Sequence, residues 1–390
     1  MAAGAAGFTT ELIEVARYPG LERDWKALEA SSGCPPFQAW PWVETWLATL
    51  PPRIRPIVFR ATDPEGLLAL ALLVDAPRSG RSRLIGGRIA RMQMTGEMAL
   101  DDLTIEYGGL LARRGQRTAA YAALFTGLDR AGWRRTELRI PVSADGGDVR
   151  SVLPATWRLS ARPLESPAYL VDLAGIRAAG GSYLAALSAS TRSGLRQTRR
   201  AYERLGPIRF EIARDMATAL DWLERLAELH TRHWRALGYG GAFAGGHFRC
   251  FHETLFRQYF DSGLPRICRV LAGDAEVGYY YHLVHRGGIY CYNGGNRPNL
   301  VPRNDRPGFL VHWLAIEHAL ADGCGTYDFL TGTGSYKRMM STHVRPVEVL
   351  RMWRSRWWAN LTLRFNEPRP PGTEAPEAAG APGAMIALRR

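Results

Sequence analysis

Lysine is nearly absent from this chain. Of 50 basic residues two are Lys, leaving 50 − 2 = 48 Arg. Lys26 lies in a polar helical pattern, and Lys337 lies in TYDFLTGTGSYKRMM, residues 326–340. An ammonium is a compact point charge that can shed its proton, whereas a guanidinium is a permanently charged planar fork. A Lys kept in so Arg-biased a composition either falls there by chance or marks a place where a guanidinium would not serve. Tyr336 stands beside it. A phenol can give a proton to a leaving thiolate, and an ammonium can stabilise a developing oxyanion. Gly332 and Gly334 let the backbone turn and a ligand approach. Asp328 points away from Tyr327 and Phe329 on a strand. It leads the candidates for general base, ahead of His282 and Glu276.

A second stretch, RNDRPGFLVHWLAIEHALADG, has the grammar of a helix start. Asn304 or Asp305 can cap it, and Pro307 suits its first turn. The amides of Gly308, Phe309 and Leu310, with Arg303 and Arg306 nearby, suit a phosphate or pyrophosphate. Phe309, Trp313, Ile316 and Leu320 fall at helical spacing and predict a buried stripe. In TRSGLRQTRRAYERLG, Arg192, Arg196, Arg199 and Arg200 lie near one helical face, which is either a phosphate-reading surface or a solvated one. In ELHTRHWRALGYGGAF, Trp234, Tyr239 and Phe243 line a pocket or belong to a core. Arg196, Trp234 and Tyr292 are the candidate substrate-binding residues. His230 and His233 share a face, but no third ligand stands near, and His282 and His285 point to opposite faces of a strand. No metal is expected.

These residues need elements to hold them. Residues 37–50 read as a short helix, and IRPIVFRAT and LLALALLVDAP as two strands about DPEG. LTIEYGGLLA reads as a further strand, 116–133 as a helix, and TELRIPV as a strand. Then follow helices over 182–206, 215–238 and 247–263, three strands over 267–295, a helix from Gly308 to about Ala321, strand TYDFL, the SYKRMM turn and strand VEVLRMWR. IVFRATDPEGLLALALLV and ICRVLAGDAEVGYYYHLV align as strand, acidic turn, strand. The fold class is therefore α/β (α+β), two similar units in tandem with a linker near 160–182. The boundaries are 1–165 for a degenerate first unit, 180–360 for the unit that carries the chemistry, and 367–390 for a Pro/Ala/Gly-rich disordered tail.

At 390 residues, two domains are the expectation. A formal net charge of +13 favours acidic partners, such as nucleotide cofactors, nucleic acid or phospho-sugars. No basic block long enough for a DNA-binding tail occurs. The five cysteines are scattered and form no C-x-x-C pair, which argues for a reducing compartment. With no signal peptide and no run of 18 apolar residues, the chain reads as cytoplasmic. No G-x-S-x-G elbow, P-loop, Rossmann fingerprint or H-E-x-x-H occurs, which disfavours hydrolase, NTPase, dehydrogenase and zinc-protease chemistry.

Taken in order, PFQAWPWVETWL, LSASTRSGLRQTRRAYERLG, LAELHTRHWRALGYGGAF, RPGFLVHWLAIEHALADG and YDFLTGTGSYKRMM resemble the GNAT acetyltransferase superfamily. The branch is the CelD-like one, related to the Fem aminoacyl transferases. The series spans residues 36–340. The resemblance implies tandem GNAT-like units, each a mixed, mostly antiparallel sheet flanked by helices, and acyl transfer from acyl-CoA to an amine or hydroxyl. In GNAT proteins a Q/R-x-x-G-x-G/A loop holds the CoA pyrophosphate. RNDRPG keeps the first Arg and the last Gly, and puts Arg306 where the middle Gly would be. The Fem motif with Lys near an aromatic residue resembles SYK, which assigns Lys337 the tetrahedral intermediate. The acceptor implied is a sugar, peptide or envelope precursor. Two alternatives go with the resemblance: a transferase using aminoacyl-tRNA, and a non-catalytic scaffold of a polysaccharide-synthesis assembly.

Overall fold

The computed structural model describes residues 7–76, 87–133, 136–163, 167–332 and 334–354. The expected tail, 367–390, lies outside the described residues. The chain divides into two compact units: one holds the described residues up to 163 together with 346–354, the other those from 167 to 345.

The first unit runs β1 (Thr9–Glu14), α1 (Leu21–Ser31), α2 (Trp40–Thr49), β2 (Pro56–Asp63), β3 (Gly66–Ala76), β4 (Arg88–Met92), α3 (Met98–Asp101), β5 (Leu111–Ala112), α4 (Arg117–Arg130), β6 (Thr136–Ser143), α5 (Gly146–Val152) and β7 (Trp157–Pro163). The second runs β8 (Ala168–Asp172), α6 (Leu173–Ala178), α7 (Ala189–Glu203), β9 (Ile208–Ile212), α8 (Met216–Ala236), α9 (Gly246–Tyr259), β10 (Pro265–Ala272), β11 (Ala275–His285), β12 (Gly288–Asn296), α10 (Pro307–Ala321), β13 (Thr326–Asp328), α11 (Ser335–Met340) and β14 (His343–Arg345). A last strand, β15 (Glu348–Arg354), returns to the first unit.

The first sheet has the order β1-β2-β3-β4-β6-β15-β7, with β5 against β3. The second has β14-β8-β13-β12-β11-β10-β9. Each contains a single parallel pair among its described strands, β4/β6 in one and β12/β13 in the other. The hairpins read as equivalent in sequence are β2/β3 and β10/β11, and both carry a register shift near the turn, at Ala61/Thr62 and Val270/Leu271. Both sheets are thus mixed, mostly antiparallel and flanked by helices, as expected.

Four expectations need correction. The segment expected as a linker near 160–182, ahead of a second unit starting at 180, holds β8 and α6, and β8 pairs with β13 and β14 inside the second sheet. The strand over 347–354, given to the second unit, pairs with β6 and β7 in the first sheet. LTIEYGGLLA is mostly irregular, since Thr104 and Tyr107 have φ of 46° and 56°, a conformation no strand contains. The helix over 182–206 begins only at Ala189, where the Ser188 hydroxyl accepts the Thr191 N–H at 3.2 Å and fixes the start.

The second core lies between the sheet and α6, α7 and α10. Leu195, Val270, Tyr280, Cys291, Leu310, Ile316, Tyr327 and Phe329 pack in one cluster. Helix α8 covers the other face. It starts on Asp215, whose carboxylate accepts the Thr218 N–H at 2.8 Å, and it buries Ala219, Trp222, Leu223, Leu226, Ala227 and His230 at helical spacing. It sits directly on β12 because Gly295 lacks a side chain: a Cβ there would lie 2.7 Å from the Leu226 carbonyl oxygen.

Candidate active site

The site grows from the parallel pair. Strands β12 and β13 are in register at Gly288/Thr326, Ile289/Tyr327 and Tyr290/Asp328, and then part. Beyond that point β12 stays with β11, reaching Asn296 opposite Gly278. The other chain stays with β8: the Phe329 N–H donates to the Tyr169 carbonyl at 2.8 Å. It then turns at Leu330, a non-glycine residue at φ 60°, whose N–H is held by the Asp328 carboxylate at 2.8 Å. Gly332, at φ 142°, continues the bend in a conformation open only to glycine. The strands thus part at the carboxyl edge of the parallel pair, the usual place for a ligand in such sheets.

All three residues expected to do the chemistry stand here. The Lys337 ammonium is buried, 1% exposed, and donates to the Phe329 carbonyl at 2.9 Å and to the Thr331 carbonyl. Its charge is thus buried at the bend that follows β13. Tyr336 is also buried; its ring stacks on His312 at 5.1 Å and 24° and lies 6.4 Å from Phe309. Burial raises its pKa well above 10.0, so the phenol keeps its proton. Asp328 is 2% exposed and pairs with Arg345 at 3.6 Å, besides holding Leu330. As a base it is already engaged on two sides.

The expected phosphate grip is present with two changes. Arg303 and Arg306 are exposed on the turn before α10, and the Arg306 guanidinium lies 5.6 Å from the Phe309 ring centre. Neither Asn304 nor Asp305 caps the helix. The Asp305 carboxylate instead accepts from the Tyr202 hydroxyl at 2.6 Å and the Asn299 N–H at 2.5 Å. The amides of Phe309 and Leu310 both donate to the Arg306 carbonyl, at 3.1 and 3.3 Å. Of the three amides expected to be open, Gly308 alone lacks such a main-chain acceptor among the described residues. The apolar stripe is wider than expected. Gly308, Leu310, Val311, His312, Trp313, Ala315, Ile316 and Ala319 are all buried, which makes α10 a core helix.

The substrate-binding candidates separate. Trp234 and Tyr292 join one aromatic cluster on the α8/α9 face, through His230, Phe243 and Phe248, with ring centres 4.9–6.2 Å apart. Arg196 is exposed on α7 and lies outside that cluster. Behind Phe243 a cavity of about 160 Å³ opens between α8 and α9, with Leu223, Ala227, Arg249 and Glu253 in its lining. Burial pushes the His230 pKa down to about 3, leaving a neutral imidazole.

One buried group is absent from the sequence reading. The Tyr327 hydroxyl is within 2.9 Å of His312 Nδ1 and 3.2 Å of His282 Nε2, and also bonds Cys291. His282 Nδ1 lies 4.0 Å from Cys268 Sγ. Burial lowers the pKa of His282 to about 3 and that of His312 well below 6.5, and raises that of Cys291 to about 12. The signal in the sequence was a histidine inside the apolar run LVHWLAI.

The first unit repeats the parting of strands. Pairing of β4 with β6 ends at Arg91/Arg139. There, however, the start of α4 is met by the chain's own carboxylate: Asp145 takes the Tyr121 hydroxyl at 2.7 Å and Arg117 at 3.0 Å.

A strand gap, a helix start with two exposed arginines, and a buried cation fit the handling of an activated acyl group with an anionic tail. Residues 189–338 match the acetyltransferase (GNAT) domain family. The second unit therefore carries an enzyme domain of the acyltransferase type. No curated protein matches the chain. Among solved structures, FemX is similar at 11% identity and TM-score 0.55, covering 87% of this chain and 96% of its own. A C-terminal domain from Agrobacterium fabrum assigned to lysylphosphatidylglycerol synthetase is similar at 11% identity and TM-score 0.50, covering 88% and 94%. A conserved protein of unknown function from Bacteroides thetaiotaomicron is similar at 8% identity and TM-score 0.50, covering 85% and 97%. At these identities the likeness is one of fold, and it extends over both units.

Proposed function

We propose that the GNAT domain transfers an acyl group from acyl-CoA to an amine or hydroxyl in the crevice where β12 and β13 part. The observation that carries this reading is the buried Lys337 ammonium at the bend after β13, whose neighbour Tyr336 lies 6.4 Å from Phe309 at the helix start that Arg303 and Arg306 flank. The donor's pyrophosphate lies against those two side chains and the Gly308 amide. Its thioester carbonyl faces the crevice. The Lys337 charge, fixed by two carbonyls, stabilises the oxygen as the carbon turns tetrahedral. Tyr336, kept protonated by burial, gives the leaving thiolate its proton. Trp234 and Tyr292 line the acceptor side, and Arg196 reaches an anionic acceptor or the donor. A sugar, peptide or envelope precursor is the acceptor class, in the manner of the CelD-like branch. The five free thiols suit a cytoplasmic setting. The first unit, its helix start held by Asp145, carries no transfer chemistry.

Arg306, at the position of the middle loop glycine, favours a second reading in which the donor is an aminoacyl-tRNA. Exposed Arg196 and Arg200 would then follow its backbone, and affinity would fall steeply with salt. Thiol release from acetyl-CoA in the presence of an amine panel separates the two. The first reading predicts acceptor-dependent release. Absence of release, with salt-sensitive binding of charged tRNA, replaces it by the second.

A further inference from the structure

The His282–Tyr327–His312 chain is the polar group in the second core that the reading above leaves unused. His312 is fully buried on the second turn of α10, one turn behind the donor's grip. Its ring is held on three sides, by Tyr280 at 4.8 Å, Phe329 at 5.0 Å and Tyr336 at 5.1 Å. Its Nδ1 is committed to Tyr327. Its Nε2 has no hydrogen-bond partner among the described residues. A buried ring nitrogen left without a partner costs about 1–3 kcal/mol, which an incoming hydrogen-bond donor would relieve. Two of the three rings holding it, Phe329 and Tyr336, flank the turn that Lys337 fastens. The His312 ring thus packs against the turn that Lys337 fastens.

We infer that His312 Nε2 is the base that takes the proton of the attacking amine or hydroxyl, and that Tyr327 and His282 are positioning residues behind it. The inference rests on the acyl-transfer reading of this crevice. For Nε2 to accept, the His312 proton must sit on Nδ1 and be donated to the Tyr327 oxygen. Tyr327 then donates its own proton to His282 Nε2, and the His282 proton stays on Nδ1 facing Cys268. Every partner in the chain is satisfied by this arrangement. In the reaction the acceptor's N–H or O–H bond breaks as its heavy atom bonds the acyl carbon, and the proton passes to Nε2. The C–S bond then breaks, and the same proton returns to the departing thiolate, directly or through Tyr336. Acylated acceptor and free thiol result, with no other acid or base consumed. The titratable groups around this ring are Tyr280 and His282 on β11, Tyr327 on β13, Tyr336 and Lys337 on α11, and Cys291 beyond Tyr327. Burial above all, then His282 and the Lys337 charge, hold the imidazole neutral.

Two measurements test this on the full chain. In ¹⁵N-histidine-labelled protein, NMR should show His312 with its proton on Nδ1 and Nε2 bare. Tyr327→Phe should shift that equilibrium. A proton resident on Nε2 in the parent overturns the inference, whatever the acceptor proves to be. In acetyl-CoA turnover, His312→Phe keeps the ring packing and should lower kcat by about 10²–10⁴-fold with KM for acetyl-CoA little changed. Tyr327→Phe should lose about tenfold or less. A folded His312→Phe variant turning over at the parental rate also overturns it. Failure of the acyl-transfer reading itself looks different: the parent releases no thiol, and CoA leaves the His312 signals unmoved.

Discussion

Lys337 shows how far a single residue type can be read. Its scarcity marked it, and the structure places its ammonium on two main-chain carbonyls at the strand exit. Lys337→Met removes the charge and leaves both acceptors buried, at about 1–3 kcal/mol each. A fall in Tm should accompany a loss of about 10²–10³-fold in kcat, measured where the variant is still folded. An unchanged kcat would remove Lys337 from the chemistry. What the sequence could not show was where that ammonium hydrogen-bonds, since Phe329 and Thr331 offer backbone atoms that carry no side-chain signature. For the same reason the chain of His282, Tyr327 and His312 stayed hidden. The bonded pairs are 45 and 15 positions apart in sequence and meet only through the fold.

Among elements, the helices were legible because their ends are chemical. Ser188 and Asp215 cap α7 and α8 by their side chains, and Pro307 opens α10. The misreadings fall where chemistry is silent. Positive φ at Thr104 and Tyr107 cannot be seen in an apolar run, and α10 needs no side-chain cap because its N-terminal amides find the Arg306 carbonyl. The contact of α8 with β12 gives a direct check. Gly295→Ala would set a Cβ 2.7 Å from Leu226 O and 2.8 Å from Leu229 Cβ. Since one contact is backbone, α8 must shift. A loss of about 1–3 kcal/mol in chemical denaturation is expected, with the tryptophan-rich first unit unaffected. Wild-type stability would show that α8 does not rest on this strand.

For the whole molecule, the duplication was visible as two hairpins with acidic turns, and the structure adds the parted parallel pair in both units. The return of β15 to the first sheet was not visible, because an apolar alternation specifies a strand but not the sheet that receives it. The buried histidines give the molecule a common pH response. His230 and His282, at about 3, together with His252 and His312, stay neutral in the folded state. Once unfolded they bind protons below about 6.5. The unfolded state therefore gains protons as pH falls, and stability is lost from about pH 6.5 downward, by at most about 1.4 kcal/mol per pH unit for each histidine. Tm measured from pH 7.5 to 5 should decline, and His230→Phe should flatten the slope. A Tm that rises on acidification would contradict the neutral, buried assignment.

Acyl transfer in this domain requires a donor whose anionic tail meets the start of α10. Calorimetric titration of CoA into the parent chain and into an Arg303→Ala/Arg306→Ala variant tests this most directly. Binding in the parent, weakened about tenfold or more in a variant of unchanged Tm, is the predicted result. Absence of heat in the parent, or equal affinity in both proteins, would contradict it.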